Sequence, residues 1–253
     1  MTTGPSGASG GQDTAIGVIC LDTSFTKIPG HIRNRATFGF PVVYDVVPGA
    51  TPQRVVTEPD PALLQPFIES AVRLEAAGVS AITSACGFLA LFQAELAGAV
   101  TIPVYASSLL QVPMVHRMLA AGQQVGILTA SASSLSPAHL AGAGAGSVPV
   151  CIAGLAEQPE FRAVILEGKR DDLDPGRLGR EVVGVAEGLL RAHPDVGALV
   201  LECTDLVPFA HEIQARTGLP VFDIVTLTGF VHASLSRRPF PAPAAVSSTA
   251  GTL

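Results

Sequence analysis

Two cysteines stand where this sequence could do chemistry. Cys86, in SAITSACGFLALFQAEL, and Cys203, in ALVLECTDLVPFAHEI, each follow a strand-length apolar run and precede a helical pattern. At such a junction the free N–H groups and the positive end of the helix favour an anion. That anion is either a thiolate, with a pKa below the ~8.5 of a free cysteine, or a substrate carboxylate. A thiol so placed can take and return a proton near neutral pH. If the two units face each other, the sulfurs approach a bound molecule from opposite sides, one removing a proton from carbon and the other delivering one. The remaining cysteines, Cys20 and Cys151, lie inside strand patterns and read as small apolar core residues. The absence of a C-x-x-C pair argues against a zinc knuckle, a thioredoxin-type motif and a disulfide framework.

The elements around these cysteines alternate. AIGVIC, PVVYDVV, VSAITSA and IPVYA read as strands in the first half, and QQVGILTA, VPVCIAG, GALVLE and LPVFD in the second, with amphipathic runs between them. In DPALLQPFIESAVRLEAAG, Asp60 is placed as an N-cap, Pro61 at the first position and Gly78 just past the end. Pro113 should kink its helix or mark its true start. Strands alternating with helices predict parallel sheets covered on both faces. Two such rounds predict an α/β fold of two similar, pseudo-twofold-related lobes, each a parallel sheet flanked by helices, with the active site in the cleft between them. The expected division is residues 14–111 plus 221–238 for the first lobe and 112–220 for the second. Residues 1–13 and 239–253, rich in Gly, Ser, Pro and Ala, read as disordered tails.

Composition removes several function classes. A net charge of −6 with scattered Lys and Arg does not attract a polyphosphate backbone, so no nucleic-acid partner is expected. The apolar runs fall short of the roughly 20 residues that span a bilayer, and the first residues do not form a signal peptide, so no membrane partner and a cytoplasmic location are expected. Neither a phosphate-binding G-x-x-x-x-G-K-[ST] loop nor a G-x-S-x-G nucleophile elbow is present.

TSACGFLA and LECTDLVP, 117 positions apart, resemble the cofactor-independent aspartate/glutamate/hydantoin racemase superfamily, which also includes maleate isomerases and arylmalonate decarboxylases. The likeness runs from about Ile16 to about Leu235. Cys203, Thr204, Asp205 and Pro208 fit the family's second motif, with Glu202 in place of the usual Gly. The first motif is looser, because Gly87 and Phe88 stand where polar side chains are usual. The resemblance implies that Cys86 and Cys203 are acid/base thiols on opposite faces of a small, amino-acid-like carboxylate, in an isomerase (a racemase or epimerase) that uses no metal or organic cofactor. It implies a carboxylate cradle of backbone N–H groups at Gly87, Phe88, Thr204 and Asp205, with Ser84, Thr129 and Ser131 as side-chain partners. Asp22, Thr23 and Ser24 match the acidic-plus-hydroxyl tip after the family's first strand, and Asp205 takes the position that assists the neighbouring thiol. A homodimer follows from the resemblance alone.

The departures at Gly87, Phe88 and Glu202 imply an altered substrate, so free glutamate is not expected. Glu202 has two readings: beside the thiols it holds a substrate ammonium or tunes Cys203; otherwise it is a strand-end charge in solvent. The long connection TSFTKIPGHIRNRATFGFPVVY reads as a lid or binding loop. Its Arg33 and Arg35 suit a second carboxylate, with a plain surface charge at one of them or both as the alternative. His31 reads as a solvated loop histidine, with a secondary proton carrier as the alternative. Three alternatives to the racemase stay open: a cis–trans isomerase or a decarboxylase/lyase of the same superfamily, a non-catalytic small-carboxylate binding protein, and a plain cysteine hydrolase.

Overall fold

The computed structural model describes residues 14–237, so both expected tails lie outside the described residues. The first sheet is built from β1 (Ile16–Cys20), β2 (Val42–Val46), β3 (Ala81–Ser84) and β4 (Val104–Tyr105), in the order β2-β1-β3-β4. The second repeats that order with β5 (Gln124–Thr129), β6 (Val150–Gly154), β7 (Val196–Leu201) and β8 (Val221–Phe222), as β6-β5-β7-β8. Every pairing is parallel. The fold is the two-lobed α/β architecture that the alternating pattern predicts.

Burial explains which runs became central strands. β1, β3 and β7 are buried at every position, as apolar runs covered on both faces should be. β2 lies at an edge and is only half buried, which lets its Asp45 meet Arg73 at 2.8 Å. The helices are α1 (Leu64–Ala76), α2 (Gln93–Gly98), α3 (Val112–Met118), α4 (Pro137–Gly142), α5 (Pro159–Phe161), α6 (Pro175–Ala192), α7 (Ala210–Thr217) and α8 (Ile224–Leu235). Asp60 accepts from the N–H of Ala62 and opens a short 3-10 turn, Pro61–Leu63, that leads into α1. Pro113 sits in the first turn of α3 and so marks its start. Gly78 and Gly218 close α1 and α7 with φ of +82° and +69°, a region that glycine enters without strain.

Three features depart from the sequence reading. Both post-cysteine helices begin as 3-10 turns, Gly87–Phe92 and Thr204–Phe209, before continuing as α2 and α7. Each lobe also carries a π-helical turn, Gln53–Thr57 and Arg162–Leu166, and these two meet across the lobes. The expected return to the first lobe at residue 221 comes later. β8 still pairs with β7, and only α8 crosses back, packing Ile224 and Leu227 with Ile16, Val18 and Ala81.

In each sheet the chain leaves the first strand toward one edge and returns toward the other. A crevice therefore opens beyond the carboxyl ends of β1 and β3, and another beyond β5 and β7. The lobes are packed closely enough that a Cβ on Gly142 of α4 would lie 2.1 Å from the Ala90 carbonyl in the turn after Cys86. One apolar core runs through both lobes, which holds the two crevices together.

Candidate functional site

One pocket forms where the crevices meet, with about 480 Å³ of space when its open mouth is included. The ends of β1 and β3 supply Leu21, Thr23, Ala85, Cys86, Gly87 and Phe88, and the ends of β5 and β7 supply Ala130, Glu202, Cys203, Thr204 and Asp205. Cys86 and Cys203 thus line one pocket, each at the N-cap of its 3-10 turn. The π-helical turns contribute Val56, Ile165 and Leu166 to its wall, and such turns often mark functional positions. Cys20 and Cys151 are buried in β1 and β6, and desolvation pushes both thiols up to about 11.

The expected lowering of the two pocket thiols is not found. Burial raises Cys86, and the Glu202 carboxyl adds to that, against the pull of the Phe88 and Leu89 N–H groups. Cys203 is raised by burial and by Asp205 and Glu202. Two acidic neighbours in a dry pocket outweigh the start of a short turn. Both thiols therefore rest protonated. The Cys203 Sγ donates to Asp205 Oδ2 at 3.7 Å, so its proton already has an acceptor.

Asp205 is tied from the loop after β1. His31 is buried and its Nδ1 accepts the Arg33 backbone N–H at 2.9 Å, which leaves Nε2 to carry the hydrogen toward Asp205 Oδ1 at 3.1 Å. Burial keeps this imidazole below its ordinary pKa despite Asp205. Burial alone would raise the Asp205 carboxyl, but the His31 hydrogen bond and the nearby Lys27 charge overcome it and hold Asp205 low. The reading of His31 as a solvated loop residue is therefore corrected. Gly30 at φ +97°, where a Cβ would lie 2.9 Å from Pro208 Cα, lets the loop lie directly on the turn after Cys203 and carries His31 inward.

The same loop delivers Lys27, which the sequence reading did not single out. Its Nζ lies 2.8 Å from the centroid of the Phe25 ring and has no hydrogen-bond partner. Burial lowers its pKa to about 8, with Asp205 opposing, so the ammonium stays charged at neutrality. The available signal was rarity: this is one of two lysines in the chain, and it stands in the long loop. Arg33 also lines the pocket but directs Nη1 at the Leu21 carbonyl and Thr23 Oγ1, at 2.9 and 2.8 Å. Arg35 is exposed and outside it.

Glu202 is buried in the pocket, so the solvent-exposed reading is excluded. Its Oε2 accepts from Thr129 Oγ1 at 2.7 Å and from the Ala130 N–H at 3.5 Å, while Oε1 has no partner. Gly87 makes room for it, since a Cβ there would lie 2.3 Å from both the Glu202 carbonyl oxygen and Oε1. The two departures from the family motif are thus sterically complementary. Desolvation lifts the Glu202 carboxyl to about 7, with the Thr129 hydrogen bond opposing. A raised acid binds its proton in the folded state while the unfolded chain has released it. Stability should therefore fall as pH rises from about 4.5 to about 7, by roughly 3 kcal/mol, and level off above. Urea unfolding across that range should show the slope in the native protein and lose it in Glu202→Gln.

Of the remaining candidates, Asp22, Ser24, Ser84, Thr129 and Ser131 are not among the residues that line the pocket. Ser84 spends its hydroxyl on the carbonyls of Cys86 and Ala106, and Ser131 bonds to Ser133 and Ser134. Thr129 acts through Glu202. Asp22 accepts the Gly49 N–H and Ser24 donates to Asp171, both in an outer cavity that shares Thr23, Phe25, Pro52, Ile165 and Leu166 with the pocket. Gly87, Phe88, Thr204 and Asp205 do line the pocket, though the Thr204 hydroxyl is given to the Ala85 carbonyl.

Comparison with known proteins agrees on the fold and alters the activity. The chain is 32% identical to a dimethylsulfoniopropionate lyase of Durusdinium sp. clade D, over 87% of its own length and 74% of that protein. It is 33% identical to dimethylsulfoniopropionate lyase 3 of Emiliania huxleyi, over 89% of its own length and 61% of that protein, so it spans about three-fifths of this relative. These relatives overturn the isomerase expectation: the curated proteins at 32–37% identity over most of the chain are named lyases. Among solved structures, a glycine-to-cysteine variant of arylmalonate decarboxylase superposes with a TM-score of 0.60 at 18% identity, covering 90% of this chain and 97% of that one. Allantoin racemase from Klebsiella pneumoniae does so with a TM-score of 0.58 at 20% identity, covering 88% and 87%. Both share the fold. The family model for Asp/Glu/Hydantoin racemase matches residues 50–228, a span that holds both cysteine motifs, and the chain belongs to that family.

Proposed function

We propose that this protein is a lyase acting on dimethylsulfoniopropionate or a close analogue, by removal of the proton next to the carboxylate. The observation that carries the reading is the Cys203 thiol bonded to Asp205 beside the unpartnered Lys27 ammonium. Similarity to the lyases supports the choice of leaving group. A racemase and such a lyase share their first step, loss of a proton from the carbon bearing the carboxylate. They differ in the fate of the electron pair.

In the lyase, Lys27 holds the carboxylate and stabilises the charge that builds on its oxygens as the α C–H bond breaks. Cys203, its own proton passed to Asp205, takes the α-proton. The freed pair becomes the Cα–Cβ double bond as the Cβ–S bond breaks, and the sulfur leaves with the bonding electrons. Acrylate and neutral dimethyl sulfide result, and the Cys203–Asp205 pair holds two protons, one more than at rest, which it returns to solvent. Entry of a sulfonium cation near two acids and two thiols lowers the cost of forming the thiolate. Proton NMR of purified protein with dimethylsulfoniopropionate should show acrylate and dimethyl sulfide appearing one for one. Unchanged substrate, or label exchange at the α-carbon without cleavage, would defeat the proposal.

A further inference from the structure

Five buried side-chain polar atoms among the described residues lack a hydrogen-bond partner: Lys27 Nζ, Ser70 Oγ, Tyr105 Oη, His116 Nδ1 and Glu202 Oε1. Two of them, the Lys ammonium and the Glu carboxyl oxygen, line the same pocket. Leaving buried polar atoms unpaired is costly, and so points to a ligand that pairs them. The other charged groups around the pocket are already engaged. His31 and the Cys203 thiol take the two oxygens of Asp205, Arg33 is bound to Leu21 and Thr23, and both thiols are protonated. Among the pocket's buried polar atoms, the Lys27 ammonium and one Glu202 carboxyl oxygen are left without a hydrogen-bond partner.

We infer that Glu202 determines specificity in this pocket: its free Oε1 receives the positively charged end of the substrate while Lys27 receives the carboxylate. The ligand class is a short zwitterion carrying an onium group, sulfonium or quaternary ammonium. This deepens the lyase reading and rests on it for the direction in which the substrate lies. Thr129 and Ala130 hold Oε2 and leave Oε1 as the oxygen without a partner, and Gly87 leaves the space that Oε1 occupies. Phe88 adds an apolar wall for the methyl groups of the onium. The groups facing Glu202 are Asp205, Cys86 and Cys203; none supplies a cation, so the substrate's own charge completes the set. Because an ionised carboxylate attracts a cation and a neutral one does not, onium binding should strengthen as pH rises through about 7.

Two unreactive probes of the same shape isolate this charge: 3-(trimethylammonio)propionate and 4,4-dimethylpentanoate, which replaces the nitrogen by carbon. Calorimetry on the native protein at about pH 8 should show the ammonium compound binding at least about tenfold more tightly. The preference should shrink at about pH 6, where Glu202 is protonated. Glu202→Gln should bring the two affinities together, and Lys27→Met should weaken both alike. Equal binding of the two probes by the native protein, or a preference retained in Glu202→Gln, would overturn the inference. If the preference is found and dimethylsulfoniopropionate is not cleaved, the zwitterion site stands and only the lyase reading falls.

Discussion

Replacing Cys203 by serine is expected to slow cleavage of dimethylsulfoniopropionate by roughly 10²- to 10⁴-fold, the range a positioned general base supplies. A serine hydroxyl can keep the hydrogen bond to Asp205, but it is far too weakly acidic to yield an alkoxide there, so geometry survives and basicity does not. Lys27 and Glu202 are untouched in this variant. Calorimetry with 3-(trimethylammonio)propionate should therefore return nearly the native affinity, which separates a lost base from a damaged pocket. Cys86→Ser should cost less, because the Cys86 thiol is not hydrogen-bonded to a carboxylate as Cys203 is to Asp205. Native rates in Cys203→Ser, or equal losses in the two variants, would remove the assignment of Cys203 as the base.

The second large effect is expected at a residue with no functional group. In Gly87→Ala the new methyl would lie 2.3 Å from the Glu202 carbonyl oxygen, a main-chain atom at the end of β7, and 2.3 Å from Oε1. The side-chain oxygen can swing away, but the carbonyl belongs to the strand end that leads into Cys203, and its own N–H is fixed to the Leu128 carbonyl at 2.8 Å. The two cysteine motifs must separate. Overpacking of this kind costs about 1–3 kcal/mol of stability, and a misplacement near 1 Å at a reacting centre costs about 10²-fold in rate. Urea unfolding and steady-state cleavage together would measure both. The double variant Gly87→Ala with Glu202→Gly should recover little, because the clash with the main-chain oxygen remains. Full recovery there would place the whole conflict in the Glu202 side chain.

Both predictions turn on the same physical point. In this pocket the acidic groups are crowded, and its two buried polar atoms without a hydrogen-bond partner, Lys27 Nζ and Glu202 Oε1, belong to side chains from different lobes. A substrate with both charges fits that layout, whereas a simple anion would leave Glu202 facing no cation. Burial raises the Glu202 carboxyl and lowers the Lys27 ammonium, because each charged form is held out of water.

Much of this protein was legible in its residues. Short apolar runs alternating with amphipathic ones required two parallel sheets, since a strand that is apolar on both faces must be covered on both faces. Small residues at the ends of those runs placed Cys86 and Cys203 at strand-to-helix junctions. The crossing back of the chain was harder to place, because the two residues of β8 fit either sheet until Leu199 and Val200 offer them a partner. Tertiary structure alone decided the chemistry of the pocket. Whether a thiol at a helix start is acidic depends on how deeply folding buries it, and here desolvation, with Glu202 and Asp205 adding to it, reversed the sign that the helix start alone predicts. His31 and Lys27 lie in a loop without periodicity, so nothing local tells whether they meet water or substrate; the contact of Gly30 with Pro208 does. The exchange of Gly and Glu between the two motifs reads as two unrelated departures along the chain. It becomes one feature only when folding sets residues 115 positions apart within van der Waals reach, because steric fit acts through space and leaves no trace in sequence spacing.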